Sequence, residues 1–348
     1  MTPEPSTIRR HTGAGREAFA RAGRRTNVVL LWILIGAFLS GWVEFAAARP
    51  VPAMLATAAH AVFGLGVVAL IPWKNMIIRR APRIRVASLT LLVIIVTCLA
   101  AGIVQLFAGY SSVLGISPIQ VHVGAAIVGI PLLAWHVFRH RSQRLRPADL
   151  SRRAVLRVSA VAAVVVAGYA VLAVATRFTG PAARRPVATG SRAVDPNAIP
   201  ATIWLLDRVP SIERDAHRVE VAGVRHSVAE LTARASEVTA RVDCTSGWFA
   251  EATWTAVRLS DLISADLLAR TISLLVTSTT GYRRRFPAAQ APELWLAVAC
   301  QGKPLTAATG APVRLVAPGH RGFWWVKWVG SVELSPIPAW QQLPFPAQ

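Results

Sequence analysis

Five apolar runs, each long enough to cross a bilayer, fill the first half of this chain. A spanning helix needs about 20 predominantly apolar residues. The runs 28–48, 53–73, 86–108, 118–138 and 154–175 meet that length. Lipid offers the backbone no hydrogen bonds, so each run is expected to be a helix that satisfies its own amides. The loops between the runs sort by charge. Arg9, Arg10, Arg16, Arg21, Arg24 and Arg25 precede the first run. Lys74, Arg79, Arg80, Arg83 and Arg85 follow the second, and Arg139, Arg141, Arg144, Arg146, Arg152 and Arg153 follow the fourth. The other two loops carry Arg49 alone and then no charge between Tyr110 and Gln120. Basic loops stay in the cytoplasm. The N-terminus is therefore expected there, with everything beyond about residue 176 outside the cytoplasmic membrane.

Composition agrees. Of 348 residues 53% are hydrophobic and 16% charged, and the mean hydropathy is +0.45, too apolar for an ordinary soluble chain. The net charge of +21 suggests nucleic acid at first. Its concentration in the loops of one membrane side explains it better, so a membrane and no nucleic acid is the expected partner. Cys98, Cys244 and Cys300 are too few, and odd in number, for a disulfide framework. The expected organisation is a basic cytoplasmic tail (1–27), a five-span transmembrane bundle (28–176), a Pro/Ala/Gly/Arg-rich linker (177–200) and an extracytoplasmic α+β domain (201–348).

Ionisable side chains inside a membrane are functional candidates. His60 and His122 fall in the first turns of spans two and four, both of which run inward, so they lie at similar depth near the outer face. The two spans read as a degenerate repeat, with Trp73-Lys74 and Trp135-His136 at the same offset from the histidines. Gly64, Gly66, Gly124, Ala125 and Ala126 would let a flat macrocycle approach. Two facing histidines suit the iron of a haem b; the other reading is a pair satisfied by hydrogen bonds between helices. His122 and His136, 14 residues apart, lie nearly on one face. That spacing resembles two-haem cytochromes b, but Lys74 stands where a fourth histidine would be, so one haem is expected. His136, near Arg139 and His140, reads as interfacial belt, and Glu44 as an interfacial carboxylate.

In the last 150 residues or so, a size suited to one domain, His217 to Gly223 alternates like a strand ending in a turn. The segments 237–243, 271–277, 294–299 and 313–316 also read as strands. The segment 259–268 looks helical, and a short helix starts at Val228.

Two segments carry chemistry. One is Val242-Asp243-Cys244-Thr245-Ser246-Gly247-Trp248, and a thiolate is a soft metal ligand. The other is Pro318-Gly319-His320-Arg321-Gly322-Phe323-Trp324-Trp325-Val326-Lys327. With Trp254-Thr255-Ala256-Val257-Arg258-Leu259, Ser278-Thr279-Thr280-Gly281-Tyr282, Gly302-Lys303-Pro304-Leu305 and Gly310-Ala311-Pro312-Val313-Arg314-Leu315-Val316, these segments resemble the sulfite-oxidase family of molybdopterin enzymes. Ala256 and Thr280 depart from that family's glycine and aspartate. Its early cofactor segment is reduced here to Asp207-Arg208-Val209-Pro210.

The resemblance implies Mo-molybdopterin as cofactor, Cys244 as the molybdenum ligand, and Cys244, Tyr282 and Arg283 as the catalytic set. It implies cofactor contacts from Thr245, Ser246, Arg314, His320, Arg321, Gly322 and Lys327. Cys300 reads as a small buried hydrophobe. The whole resembles a fusion of the catalytic part of the periplasmic methionine-sulfoxide-reducing enzymes with a haem-bearing membrane partner. A small-molecule substrate and a quinone or other electron carrier are the implied partners. A haem-free anchor served by a soluble redox partner, and a non-enzymatic sensor, are the alternatives. Finally, Ser151-Arg152-Arg153-Ala154-Val155-Leu156-Arg157 resembles a twin-arginine export signal, a receptor-read address, with Val155 in place of its usual phenylalanine; a positive-inside arginine pair is the plainer reading.

Overall fold

The computed structural model describes residues 6–79, 86–108, 110–113, 116–139, 151–178, 187–203 and 207–343. The chain divides into two compact units, one spanning 1–44 and 55–180, the other 181–348 with the short stretch 45–54.

The first unit is helical: α1 (Ser6–Ala46), α2 (Pro50–Arg79), α3 (Val86–Ala108), α4 (Pro118–Arg139) and α5 (Arg152–Phe178). Each contains a stretch long and apolar enough to cross a membrane. Their outward faces are apolar and exposed, as Val93, Ile103, Val128, Val164 and Val171 show. That is the pattern of a bundle whose solvent is lipid. The basic tail is not a separate element, because residues 6–27 continue into the first span as one helix. Loop arginines Arg80, Arg83, Arg85, Arg141, Arg144 and Arg146 lie outside the described residues, as do residues 1–5.

The second unit is a two-sheet α+β fold. One sheet joins β1 (Arg192–Ala193), β4 (Ser236–Cys244), β5 (Trp248–Arg258), β8 (Trp295–Cys300), β9 (Lys303–Pro304) and β10 (Arg314–Val316). The other runs in the order β3 (Val224–Ser227), β2 (Arg218–Val221), β11 (Val329–Ser335), β6 (Ser273–Ser278) and β7 (Arg283–Pro287). Strand β5 organises the first sheet. Along one edge β4 pairs from Ser236↔Ala256 to Cys244↔Trp248. Along the other, β8 covers Trp254 to Arg258 and the two-residue β1 covers Trp248 and Phe249. Alternation places Trp254, Ala256, Leu296, Val298 and Leu315 in the core of this sheet, and Val219, Val221, Leu274, Val276, Phe286 and Val332 in that of the other, all nearly inaccessible.

Two short helices decorate the sheets. In α6 (Val228–Arg234) Ser227 and Glu230 form a reciprocal capping box. The stretch 259–268, expected as one helix, is instead a 3-10 turn at Leu259–Asp261 followed by α7 (Ala265–Arg270). Leu259 and Ile263 are buried while Leu267 is exposed, so no continuous apolar stripe holds a longer helix together. The linker boundary also moves. Residues 179–186 lie outside the described residues, but 187–200 already belong to the sheet unit through a turn at Val187–Gly190, β1 and a 3-10 turn at Pro196–Ala198.

Candidate functional site

In the helical unit the two histidines meet. The ring centroids of His60 and His122 are 5.6 Å apart with planes at 84°. Each ring is held by the preceding helix. His60 Nδ1 lies 2.7 Å from the Ala37 carbonyl oxygen, and His122 Nδ1 lies 2.8 Å from that of Cys98. A carbonyl only accepts, so Nδ1 is the donor in both rings, and Nε2 is the nitrogen that the neutral ring would offer to a ligand. A glycine makes room in each case: a Cβ on Gly41 would come within 3.0 Å of the His60 ring, and one on Gly102 within 3.0 Å of the His122 ring. The repeat thus includes α1 and α3 as well as α2 and α4. At the other end Lys74 Nζ donates to Asn27 Oδ1 at 2.8 Å.

In the sheet unit Cys244 ends β4, just before a turn closed by Gly247 N–H on the Cys244 carbonyl at 3.0 Å. Gly247 has φ +83°, a conformation that glycine takes without cost. The Cys244 sulfur receives the Ser246 N–H at 3.5 Å and lies 3.4 Å from Thr202 Oγ1. It faces a cavity of about 760 Å³ including its open mouth. Thr245, Ser246, Tyr282, Arg314, Gly322 and Lys327 line the same cavity. Seven of the expected site residues, Cys244 among them, are therefore brought together.

Two of the lining residues are cations with little else to bind. Arg314 is 4% exposed. Its Nη1 donates to the Thr309 carbonyl at 2.9 Å and its plane lies over Trp254, while Nε has no hydrogen-bond partner. Burial pushes its guanidinium down to about 10. Lys327 donates to the carbonyls of Thr202 at 2.8 Å and Ala308 at 2.6 Å, and burial pushes its ammonium down to about 7. Neither forms an ion pair with a carboxylate among the described residues. Tyr282, whose hydroxyl donates to the Phe323 carbonyl, is shifted well above the usual phenol range by burial.

Three expected contacts fall elsewhere. Arg283 is exposed at the start of β7 and lines no part of the cavity. Strand alternation turns its neighbour inward: Arg284 is 2% exposed, with its guanidinium 4.3 Å from the Trp324 ring. His320 is buried against Phe286 and Trp324, and desolvation pushes it down to about 4. It is a neutral ring in an aromatic cluster, with no positive charge to offer a phosphate. Arg321 is 1% exposed and reaches back to Asp243 at 3.8 Å. The sequence does not single out Thr202 or Asp243, and it offers Arg284 only as one of the run Arg283-Arg284-Arg285, a pocket rim or exposed charge; its inward turn follows from the alternation Arg284, Phe286 within a strand.

The donor set suits a metal that brings its own ligands. Among the described residues no group of three or more His, Cys, Asp or Glu side chains converges, so a metal on Cys244 would take one ligand from the protein. Around it the cavity wall carries two cations, Arg314 with its orphaned Nε and Lys327, against the one carboxylate of Asp207, and that balance suits an anionic organic group. Gly322 keeps the floor clear, since a Cβ there would lie 2.9 Å from Cys244 Cα.

The second unit thus presents a cavity lined by a cysteine and two cations on a mixed two-sheet fold. Residues 206–342 match the family described as the oxidoreductase molybdopterin binding domain, which supports a molybdopterin-binding oxidoreductase domain in this part of the chain. No curated protein matches the chain. Among solved structures, the sulfane dehydrogenase SoxCD from Paracoccus pantotrophus is similar at 21% identity and a TM-score of 0.33, over 37% of this chain and 40% of that one.

Proposed function

We propose that this protein is a membrane-anchored molybdopterin oxidoreductase whose catalytic domain lies outside the cytoplasmic membrane and whose helical unit carries one haem b. The reading rests on one observation above all: the Cys244 sulfur opens into a cavity lined by two cations, Arg314 and Lys327, neither of which forms an ion pair among the described residues, and by the one carboxylate of Asp207. When bound there, a molybdenum–pterin group would supply two-electron oxo transfer. The chain's own part is to bind and orient. Cys244 holds the metal, Arg314 and Lys327 neutralise the anionic part of the cofactor, and Thr245 and Ser246 offer hydrogen bonds beside the thiolate. Tyr282, kept protonated by burial, stands on the cavity wall with its proton on the Phe323 carbonyl, so its oxygen can accept a hydrogen bond from a bound group. The reaction is reduction of a sulfoxide-like molecule or oxidation of a sulfite-like one.

In the helical unit His60 and His122 would hold the iron through Nε2, with Nδ1 fixed on Ala37 and Cys98. Bound there, a haem supplies single-electron exchange with quinone or another carrier. The twin-arginine pair Arg152-Arg153 would send the domain across the membrane already folded.

Metal and haem analysis of the purified full chain tests the reading. It expects one molybdenum, one pterin and one b-type haem spectrum per chain. Absence of molybdenum from protein made in a host that produces the cofactor refutes it.

A further inference from the structure

The segment just before the family match, 187–195, is tied to the cysteine end of β4 more tightly than a linker needs to be. Its backbone flanks the turn after Cys244. Arg192 N–H donates to the Gly247 carbonyl at 3.1 Å, and Val194 N–H to that of Phe249 at 2.9 Å. These bonds pair β1 with the part of β5 that β8 leaves open. Its side chains then reach one carboxylate. Thr189 Oγ1 donates to Asp243 Oδ2 at 2.7 Å and Ser191 Oγ to Asp243 Oδ1 at 2.6 Å. Ser191 is wholly buried, and Thr189 and Asp243 are 7% and 9% exposed.

Asp243 is the residue before Cys244, and its Oδ2, the oxygen that accepts from Thr189, also faces Arg321 Nε at 3.8 Å, where a backbone bridge joins the two residues. Gly322, next to Arg321, lies so close to Cys244 that a Cβ on it would come within 2.9 Å of Cys244 Cα. Three chain segments therefore converge on the Asp243-Cys244 pair. Two of them line the cavity through Cys244 and Gly322; residues 187–195 contribute nothing to its lining and act from behind. A buried carboxylate needs every acceptor position filled. Here the two hydroxyls supply what a guanidinium at 3.8 Å does not.

We infer that residues 187–195 form a positioning strap for the cofactor thiolate, with Thr189 and Ser191 setting the orientation of Asp243 and through it that of Cys244 and the Arg321-Gly322 loop. The inference rests on the proposed role of Cys244, and its first readout is independent of the metal. In the cofactor-free full chain, the alkylation rate of Cys244 by iodoacetamide is followed by peptide mass spectrometry, with Cys300 as internal reference. Loss of one hydrogen bond to a carboxylate shifts a local opening equilibrium about tenfold. Thr189→Val and Ser191→Ala should each accelerate Cys244 by about that factor, leave Cys300 unchanged, and weaken molybdenum retention in the loaded protein. Thr189→Ser, which keeps the hydroxyl, should behave as the parent. A Cys244 rate that does not move, or that rises only in step with Cys300, overturns the strap. Failure of the parent to bind molybdenum, with the alkylation pattern as stated, refutes the cofactor assignment and leaves the strap standing.

Discussion

The two units prepare their candidate sites in opposite ways. In the helical unit the proposed iron ligands are imidazoles, each aimed by a carbonyl of the helix before it and each given space by a glycine. In the sheet unit the proposed site is a cysteine beside two cations that are fixed by carbonyls, with the carboxylate of Asp207 on the same cavity wall. A pair of imidazoles takes up a metal without importing net charge. A cavity with two cations against one carboxylate favours a ligand that brings negative charge. The first proposed site thus rests on fixed geometry and the second on charge brought by its ligand.

The largest expected effects test whether the two sites are independent. Cys244→Ala should remove all molybdenum and all turnover while the haem spectrum stays. His60→Ala or His122→Ala should each abolish the haem spectrum while molybdenum stays. Loss of both groups from either change would break the comparison. Next, Arg152→Lys with Arg153→Lys keeps the charge but should block export, read as loss of protease access to the sheet unit from outside; continued access would make the arginines a topology signal only.

A smaller effect is expected from the cations. Arg314→Met should weaken pterin retention about 10- to 100-fold, by analogy with outer-shell losses at metal sites. Retention should also depend on pH through Lys327. Below about pH 7 the ammonium is charged and attracts the anion; as pH rises through about 7 the cofactor-free site loses that charge, so the rate of cofactor uptake should fall. Uptake that is flat from pH 6 to 9 would show that Lys327 does not meet the anion. The smallest effect belongs to His136→Ala. That residue lies about 20 Å along α4 from His122 at about 1.5 Å per residue, at the repeat position that corresponds to Lys74 of α2, which bonds Asn27. The haem spectrum should be unchanged, and its loss would mean that the wrong pair was chosen.

Legibility followed the range of the interactions. The five spans, the His60–His122 pairing and the strands β2, β4, β6, β8 and β10 rest on patterns within one segment, and they appear in the structure where the periodicity puts them. Strand β5 was not read, because Trp248 to Arg258 mixes alanine, threonine and glutamate on a strand paired on both edges. Arg283 and Arg284 are indistinguishable in a run of three arginines until the strand phase is known. His320 is expected from the sequence to be a cofactor contact because nothing local shows that Phe286 will cover it. The strap was hidden most completely: its hydroxyls meet Asp243 more than fifty residues later in the chain, and it lies inside the stretch 177–200, whose Pro, Ala, Gly and Arg content is that of a tether.

Where such a chain can be cut follows from β1. The family match begins at residue 206, and a gene rearrangement or protease that respected that border would release a domain with an open edge at Trp248 and a carboxylate stripped of its hydroxyls. A cut anywhere in 179–186 would release one that keeps both. Residues 187–195 thus look like a spacer in the sequence, yet in the structure they hold the Asp243-Cys244 end of β4 from behind.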